Sequence, residues 1–219
     1  MASSKPRKRR PKMVIRSYEP ADIEAISILM REPSVVAGTL QMPHRSTEWR
    51  KEQWNKMDET RHTLVAEVGG EIVGMASIQI RNRPRVRHTG ALGMAVAERV
   101  RRRGVGTALL REILDMGFGW LGLMRIELSV WVDNEGAVLL YRKHGFLVEG
   151  IVRAHGLRDG KLVDSFQMAR LADRLPWDRV TAEEVAQRLP PMLPSGSEPK
   201  KAAKKERTKK KKKGGWDIN

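Results

Sequence analysis

The segment from Val96 to Gly106 constrains the fold of this chain most, because it joins a predicted strand to a predicted helix. A β-type run extends from about Ala91 to Val96, and apolar residues at helical spacing then predict a helix from Gly104 to about Met116. Backbone N–H groups at the start of a helix lack partners within it, and the helix dipole favours an anion there. We therefore expect a strand–loop–helix unit whose glycine-containing loop holds a phosphate group. Without further context, the two glycines and the arginines are also compatible with a helix N-cap that has a solvated basic face.

The rest of the chain predicts hairpins before and after this unit, and hence a mixed α/β (α+β) fold. Gly69-Gly70 is a two-residue turn between β-type runs, and Asp159-Gly160 is expected within a longer loop between the last two strands. Pro33, Gly38 and Pro43 are expected to interrupt the chain after its first helix. Further strands are expected at 14–16, 64–68, 72–80, 125–132, 146–152 and 162–168, and further helices at 19–30, 47–57 and 134–144.

The net charge of +16 is concentrated at the two ends of the 219-residue chain. Residues 5–12 contribute +6 and residues 198–219 contribute +7, which leaves +3 for the body. We expect disordered basic tails at 1–12 and 197–219, one folded domain at 13–172, and an extension at 173–196 with a short helix at 180–189. A weak contact of these tails with a nucleic acid or another anionic surface is the alternative.

Composition excludes several classes of protein. The chain has no cysteine and therefore no disulfide, thiol nucleophile or cysteine-ligated zinc. It has no apolar run of about 18 residues and no apolar segment behind its charged N-terminus, so we expect a cytoplasmic protein without a membrane span. No metal is expected either, because metal-ligand spacing is lacking among the histidines, which are His44, His62, His88, His144 and His155.

Two motifs, in the expected order, resemble the GNAT superfamily of N-acetyltransferases. The pattern Arg/Gln-x-x-Gly-x-Gly/Ala is matched in the loop by Arg101, Gly104 and Gly106. The pattern Asn-x-x-Ala, then Leu-Tyr-x-x-x-Gly-Phe, is matched by Asn134, Ala137, Leu140, Tyr141, Gly145 and Phe146. This resemblance covers about residues 13–171. It implies a twisted, mostly antiparallel sheet of about seven strands, with a parallel splayed pair at the cofactor site, flanked by about four helices.

The resemblance also implies acetyl-CoA as cosubstrate. In the family, the strand before the loop binds pantetheine, and the loop amides hold the pyrophosphate. The first role falls on Met94, Ala95 and Val96, for which core packing is a compatible second role. The second falls on Arg101, Arg102, Arg103, Gly104, Val105, Gly106 and Thr107. The side chains of Arg102 and Arg103 are also candidate ligands of the 3′-phosphate, although an arginine cluster is usually a solvated surface.

Acetyl transfer to an amine needs a neutral amine, an oxyanion donor and an acid for the departing thiolate. By the resemblance, Tyr141 is the general acid, and the N–H of Ala95 or Val96 binds the oxyanion. Asn134 either binds the pantetheine arm or caps its helix. The strand before the loop lacks a carboxylate, so Glu127, acting through water, is a candidate base, and a cross-strand ion pair is its alternative role.

Six further segments are more particular than the superfamily motifs: 39–44, 83–85, 125–128, 132–134, 145–146 and 149–150. In them the chain resembles the bacterial L-amino-acid N-acetyltransferases associated with phenylalanine and methionine. Leu40 and Met42 are candidates for an apolar acceptor side chain, and Arg81 or Arg83 for its carboxylate. The alternative for Arg83 is a hairpin connection with solvated charges.

Three other readings remain open. The acceptor could be a protein N-terminus, as in ribosomal-protein acetylation, or a polyamine or amine drug. The chain could instead be a non-catalytic GNAT module that binds nucleic acid through its tails. A homodimer is compatible with each of these readings.

Overall fold

The computed structural model describes residues 12–56 and 58–173, whose strands form one seven-stranded sheet. The strands are β1 (Met13–Ser17), β2 (Arg61–Val68), β3 (Glu71–Ile80), β4 (Thr89–Val96), β5 (Arg125–Trp131), β6 (Leu147–Arg158) and β7 (Lys161–Leu171). Their order across the sheet is β1-β2-β3-β4-β5-β7-β6. Only β4 and β5 pair in parallel, which confirms the expected sheet. The predicted basic tails and the helix expected at 180–189 lie outside the described residues.

The expected helices are present, together with one short helix that the sequence pattern did not indicate. The helices are α1 (Ile23–Leu29), α2 (Pro33–Gly38), α3 (Thr47–Asn55), α4 (Val105–Asp115) and α5 (Glu135–Lys143). Helix α2 lies where Pro33 and Gly38 predicted interruptions. Proline at the first position of a helix costs no hydrogen bond, and Gly38 is the last residue, so both act as boundaries of a helix rather than as breaks.

Two elements differ in extent from the sequence patterns. Helix α4 continues into a π-helical turn, Met116–Trp120, in which the Leu121 N–H donates to the Met116 carbonyl at 3.0 Å. Strands β6 and β7 are joined by Asp159 and Gly160 alone, with φ of 50° and 75°, so the longer loop expected there is wrong. Register shifts in β6 interrupt its period-two pattern, which is why the sequence shows only part of this strand.

The sheet has two different faces, and their difference places the site. Helix α4 covers one face at Gly74, where an added Cβ would lie 3.0 Å from Leu109 Cδ1. Because side chains alternate along a strand, Met75 and Ser77 point to the other face. Helix α3 reaches that face where Trp54 lies against the guanidinium of Arg61, which donates to Ser77 at 3.4 Å, and α1 packs between α3 and β3. Pairing carries Gly93 and Trp131 onto that second face, on β4 and β5 respectively. We call it the α3 face of the sheet.

Candidate active site

A gap opens in the sheet where β4 and β5 separate. The two strands pair only over Thr89–Ala91 and Arg125–Glu127. Beyond these residues, β4 continues beside β3 to Val96, whereas β5 continues beside β7 to Trp131. The carboxyl-terminal halves of two parallel neighbours therefore diverge and leave a wedge between them, which we call the β4–β5 gap.

The register of β4 determines which backbone groups face this gap. The Ala97 N–H donates to the Val73 carbonyl at 2.8 Å, and the Arg81 N–H donates to the Thr89 carbonyl at 2.9 Å. In an antiparallel ladder, alternate residues bond to the same neighbour, so Ala95 bonds to β3 while Met94 and Val96 direct their N–H and C=O groups into the gap. Within the described part of the chain, no strand pairs with that side of Met94 and Val96.

The loop after β4 presents further N–H donors beside the gap. Gly104 caps α4 with φ of 88°, a conformation that glycine adopts without strain. The Ala108 N–H donates to the Gly104 carbonyl at 2.9 Å and closes the first turn, so the N–H groups of the preceding helical residues have no partner within the helix. A Cβ on Gly106 would lie 3.2 Å from Leu140 Cδ2, so α5 passes close to this helix start. The N–H donors at the start of α4 therefore lie close to both β4 and α5.

The arginines of this loop differ in their engagement. Arg101 donates to the Ser34 carbonyl at 3.2 Å and so ties the loop to α2. Arg102 and Arg103 are exposed and form no ion pair with any residue that the structure describes. Two positive side chains are therefore available near the start of α4, in addition to the helix dipole.

Tyr141 lies on α5, next to the residue that approaches Gly106. Its ring is buried and tilted against Phe146, with the ring centroids 5.6 Å apart. Burial raises the pKa of Tyr141 to about 12. Its hydroxyl group has no hydrogen-bond partner among the described residues. Helix α5 thus carries a protonated donor that has no partner among the described residues.

Asn134 caps α5, as one of its two expected roles required. Its side-chain oxygen accepts from the Ala137 N–H at 3.3 Å. Its Nδ2 lies 3.7 Å from the position that a Cβ on Gly38 would take. The cap engages the oxygen and leaves the amide nitrogen next to α2.

Glu127 lies at the closed end of the gap, between two arginines. Its carboxylate accepts from Arg81 at 2.5 Å and from Arg125 at 3.1 Å. Burial alone would raise the pKa of Glu127, but these hydrogen bonds outweigh burial and hold its pKa below the ordinary value. Arg81, a candidate carboxylate ligand, is therefore engaged within the protein. Arg83, the other candidate, is exposed and precedes a short turn at Pro84–Val86.

Leu40 and Met42 lie in the segment between α2 and α3, with 66% and 58% of their surfaces exposed. A Cβ on Gly156 would lie 3.2 Å from Leu40 Cδ2 and 2.6 Å from the Trp131 ring. Leu40 and Trp131 thus meet over β6, at the open end of the gap. Exposed apolar side chains at this place can contact an acceptor.

Two buried polar groups on this side of the molecule were not predicted from the sequence. Trp131 is 4% exposed, and its indole N–H has no hydrogen-bond partner. Arg50 on α3 is 3% exposed, with two guanidinium nitrogens unpartnered. Helix α3 has a polar sequence that marks no buried position, so no signal singled out Arg50.

The described residues include neither a metal-ligand cluster nor a membrane-spanning helix. No group of three histidine, aspartate or glutamate side chains there is arranged to hold a metal ion. None of the helices described is long and apolar enough to cross a membrane.

Comparison with known proteins agrees with this geometry. Residues 24–146 match the Acetyltransferase (GNAT) family. The chain belongs to the GNAT family and is an acyltransferase. Enzymes of this family use acetyl-CoA.

The chain is similar to the L-amino acid N-acetyltransferase AaaT of Escherichia coli K12, with 40% identity over 159 residues. That alignment covers 73% of this chain and 98% of the relative, and it confirms the predicted resemblance to the amino-acid branch. The spermidine N(1)-acetyltransferase of the same organism is 24% identical over 156 residues, which are 70% of this chain and 83% of that enzyme. A crystal structure of a GNAT acetyltransferase from Streptococcus pneumoniae matches with a TM-score of 0.64 and 30% identity, covering 74% of this chain and all of that one.

Proposed function

We propose that this protein transfers the acetyl group of acetyl-CoA to the α-amine of a free L-amino acid with an apolar side chain, such as phenylalanine or methionine. The main support for an amino-acid acceptor is the 40% identity to an L-amino acid N-acetyltransferase over 98% of that enzyme. The donor is supported by the β4–β5 gap and the donor-rich loop beside it.

In this proposal, pantetheine lies in the β4–β5 gap. Its two amides pair with the Val96 N–H and C=O groups and with the Met94 C=O group, much as a strand would. The pyrophosphate lies against the amides at the start of α4, with Arg102 and Arg103 adding positive charge. Gly106 allows α5 to approach the start of α4, since a Cβ there would lie 3.2 Å from Leu140 Cδ2. Asn134 offers its free Nδ2 to the pantetheine arm.

The transfer itself is a direct attack. The amine nitrogen forms a bond to the thioester carbonyl carbon, and the negative charge moves to the carbonyl oxygen. Because pantetheine extends from the start of α4 back along β4, the thioester lies nearer Met94 than Val96. The Met94 N–H faces the gap and binds that oxygen, so neither Val96 nor Ala95, whose N–H belongs to the ladder with Met75, takes this role. Collapse of the intermediate breaks the C–S bond, and the sulfur takes the Tyr141 proton. The proton that the nitrogen loses restores the phenol through water, so that the products are the N-acetyl amino acid and CoA.

The proposal needs no protein carboxylate as base. Glu127 is bound by two arginines, which makes it a weak proton acceptor. An α-amine has a pKa of about 8, so a sizeable fraction is already neutral near pH 7.5. Water can take the remaining proton, and the rate should then follow the fraction of neutral amine.

Charge near the site favours an acceptor with an anionic group over a polyamine. Arg50 is buried on the α3 side of the sheet, and Arg31 and Arg45 are close enough to lower its pKa further after burial has lowered it. A polycation would be repelled by these side chains.

We propose that acetyl transfer requires neither a homodimer nor the basic tails.

The test follows thiol release from acetyl-CoA with a panel of free amino acids, N-terminal peptides, spermidine and an aminoglycoside. Phenylalanine and methionine are expected to be the best acceptors. Tyr141→Phe keeps the ring against Phe146 and removes only the hydroxyl, so the fold should persist while kcat falls by about 10-fold or more.

The outcomes separate donor from acceptor chemistry. Release only with peptides or spermidine would contradict the amino-acid acceptor and leave the mechanism in place. A Tyr141→Phe variant with unchanged kcat would remove Tyr141 from the mechanism. Equal acetyl-CoA binding by both proteins in calorimetry is the control that the variant is intact.

A further inference from the structure

Arg50 is a buried cation whose guanidinium is only partly bound. It lies in the middle of α3, with 3% of its surface exposed. Nη1 donates to Gln41 Oε1 at 2.8 Å, whereas Nε and Nη2 have no hydrogen-bond partner among the residues that the structure describes. These two nitrogens form one edge of the planar guanidinium, the edge that binds both oxygens of a carboxylate in parallel.

The positive charges around Arg50 destabilise its unpaired guanidinium edge, Nε and Nη2. Burial lowers the pKa of Arg50, and the nearby positive charges of Arg31 and Arg45 lower it further. Arg50 forms no ion pair with any residue in the described part of the chain. A buried charge is costly unless it is paired, so this position calls for an anion from outside.

The position of Gln41 connects Arg50 with the open end of the β4–β5 gap. Gln41 follows Leu40, whose side chain meets Gly156 beside Trp131 at the end of β5. Helix α3 and this segment lie on the face of the sheet opposite α4, whereas the pyrophosphate is proposed at the start of α4. The anion at Arg50 therefore belongs to the acceptor and not to the phosphates of the donor.

We propose that Arg50 binds the α-carboxylate of the amino-acid acceptor through Nε and Nη2, and that Gln41 positions the guanidinium by holding Nη1. This inference rests on the proposed function, because a free amino acid carries a carboxylate one carbon away from the reacting amine. Arg50, rather than Arg81 or Arg83, then sets the preference for free amino acids over amides and peptide N-termini.

The experiment compares kcat/KM for L-phenylalanine and L-phenylalaninamide in the full chain and its Arg50→Met variant. The two acceptors share the amine and the side chain, but the amide has no charge at the carboxyl position. With phenylalanine, Arg50→Met is expected to lose about 100-fold or more, as is usual when one partner of a buried charge pair is removed. With phenylalaninamide, the change in kcat/KM should stay within about threefold, because Arg50 forms no ion pair with an uncharged amide.

Three further measurements distinguish carboxylate binding by Arg50 from a purely structural role of this residue. Arg31→Met removes the same charge from an exposed side chain, which donates to the Ser27 carbonyl, and should change neither acceptor by more than about threefold. Gln41→Ala should raise KM for phenylalanine with little change in kcat. Arg50→Met should have an unfolding temperature equal to or above that of the parent, because an unpaired buried charge is removed.

Each outcome has a distinct meaning. Equal losses with both acceptors, or no loss with either, would overturn the role of Arg50 and leave the proposed function standing. A parent protein that acetylates phenylalaninamide but not phenylalanine would overturn both the amino-acid acceptor and the carboxylate site. If Arg50→Met does not fold, Arg50→Lys serves, since an ammonium group lacks the two-nitrogen edge and should still lower the phenylalanine-to-amide ratio.

Discussion

Glu127 illustrates how a single residue can have the right chemistry for catalysis and the wrong surroundings. Its carboxylate lies where β4 and β5 are still paired, and Arg81 and Arg125 both donate to it. Arg125 also donates to Glu149 at 2.7 Å, so the four side chains form one network. Such a network fastens β5 to its surroundings at the closed end of the gap.

A pH series tests this structural role. Glu127 has a pKa below its ordinary value of 4.5. A carboxylate with a lowered pKa stabilises the fold above its unfolded-state pKa and loses this contribution as pH falls through its folded-state pKa. Glu127→Gln should therefore lower the unfolding temperature by about 2–4 °C at pH 7, and the difference from the parent should close as the pH is lowered below about 4.5.

The matched control is Glu149→Gln, which removes a more exposed carboxylate from the same network and should destabilise less. Glu127 has no catalytic role in the proposed mechanism. Its variant should therefore keep kcat/KM within about threefold, as expected when partly exposed ion pairs are lost. An unchanged unfolding temperature together with a large loss of kcat would identify Glu127 as the base after all.

At the scale of elements, the end of α4 shows what local patterns do not record. The sequence predicts the helix well, since Val105, Leu109 and Ile113 are all buried as their spacing indicates. Its continuation as a π-helical turn depends instead on contacts with distant strands. Gly117 approaches Ile78 of β3 and Ile126 of β5 so closely that no side chain fits.

Substitution of this glycine should be costly. A Cβ on Gly117 would lie 2.7 Å from Ile126 Cδ1 and 2.9 Å from Ile78 Cδ1, both on fully buried side chains. Gly117→Ala should therefore lower the free energy of unfolding by about 1–3 kcal/mol, the usual cost of overpacking. The midpoint of urea unfolding measures this change.

Gly119 provides the comparison within the same turn. A Cβ there would meet nothing within 4 Å, and its φ lies outside the positive range. Gly119→Ala should leave stability unchanged or raise it by up to about 1 kcal/mol, because alanine reduces the entropy of the unfolded chain. Equal effects of the two substitutions would contradict the close packing of Gly117.

For the whole molecule, the sequence predicts the order of elements and the residues proposed to bind acetyl-CoA, but not the buried polar groups on the α3 face of the sheet. Motifs around Gly104 and Tyr141 are local, so their spacing carries information without a structure. Arg50 and Trp131 come from segments that meet only after folding, and no local pattern marks them as buried. The extent of β6 was underestimated for a related reason, because its pairing with β7 tolerates register shifts.

The charge distribution gives a prediction for the chain as a whole. Removal of residues 1–11 and 197–219 should leave kcat/KM for phenylalanine within about threefold, since these segments carry most of the charge but none of the proposed site. The same deletion should abolish any salt-sensitive retention on an anionic column or nucleic acid. Steady-state kinetics and retention at two salt concentrations measure the two effects, and parallel loss of both would implicate the tails in acceptor binding.

The gap between β4 and β5 also means that the sheet is unfinished. Three residues of each strand hold its two parts together, and the backbone groups of Met94 and Val96 await a partner. If acetyl-CoA supplies that partner, the cosubstrate is at the same time the missing strand, and saturation at about 100 times its dissociation constant adds about 2.7 kcal/mol of stability. Resistance of the enzyme to proteolysis, and with it its turnover in the cell, would then follow the supply of acetyl-CoA.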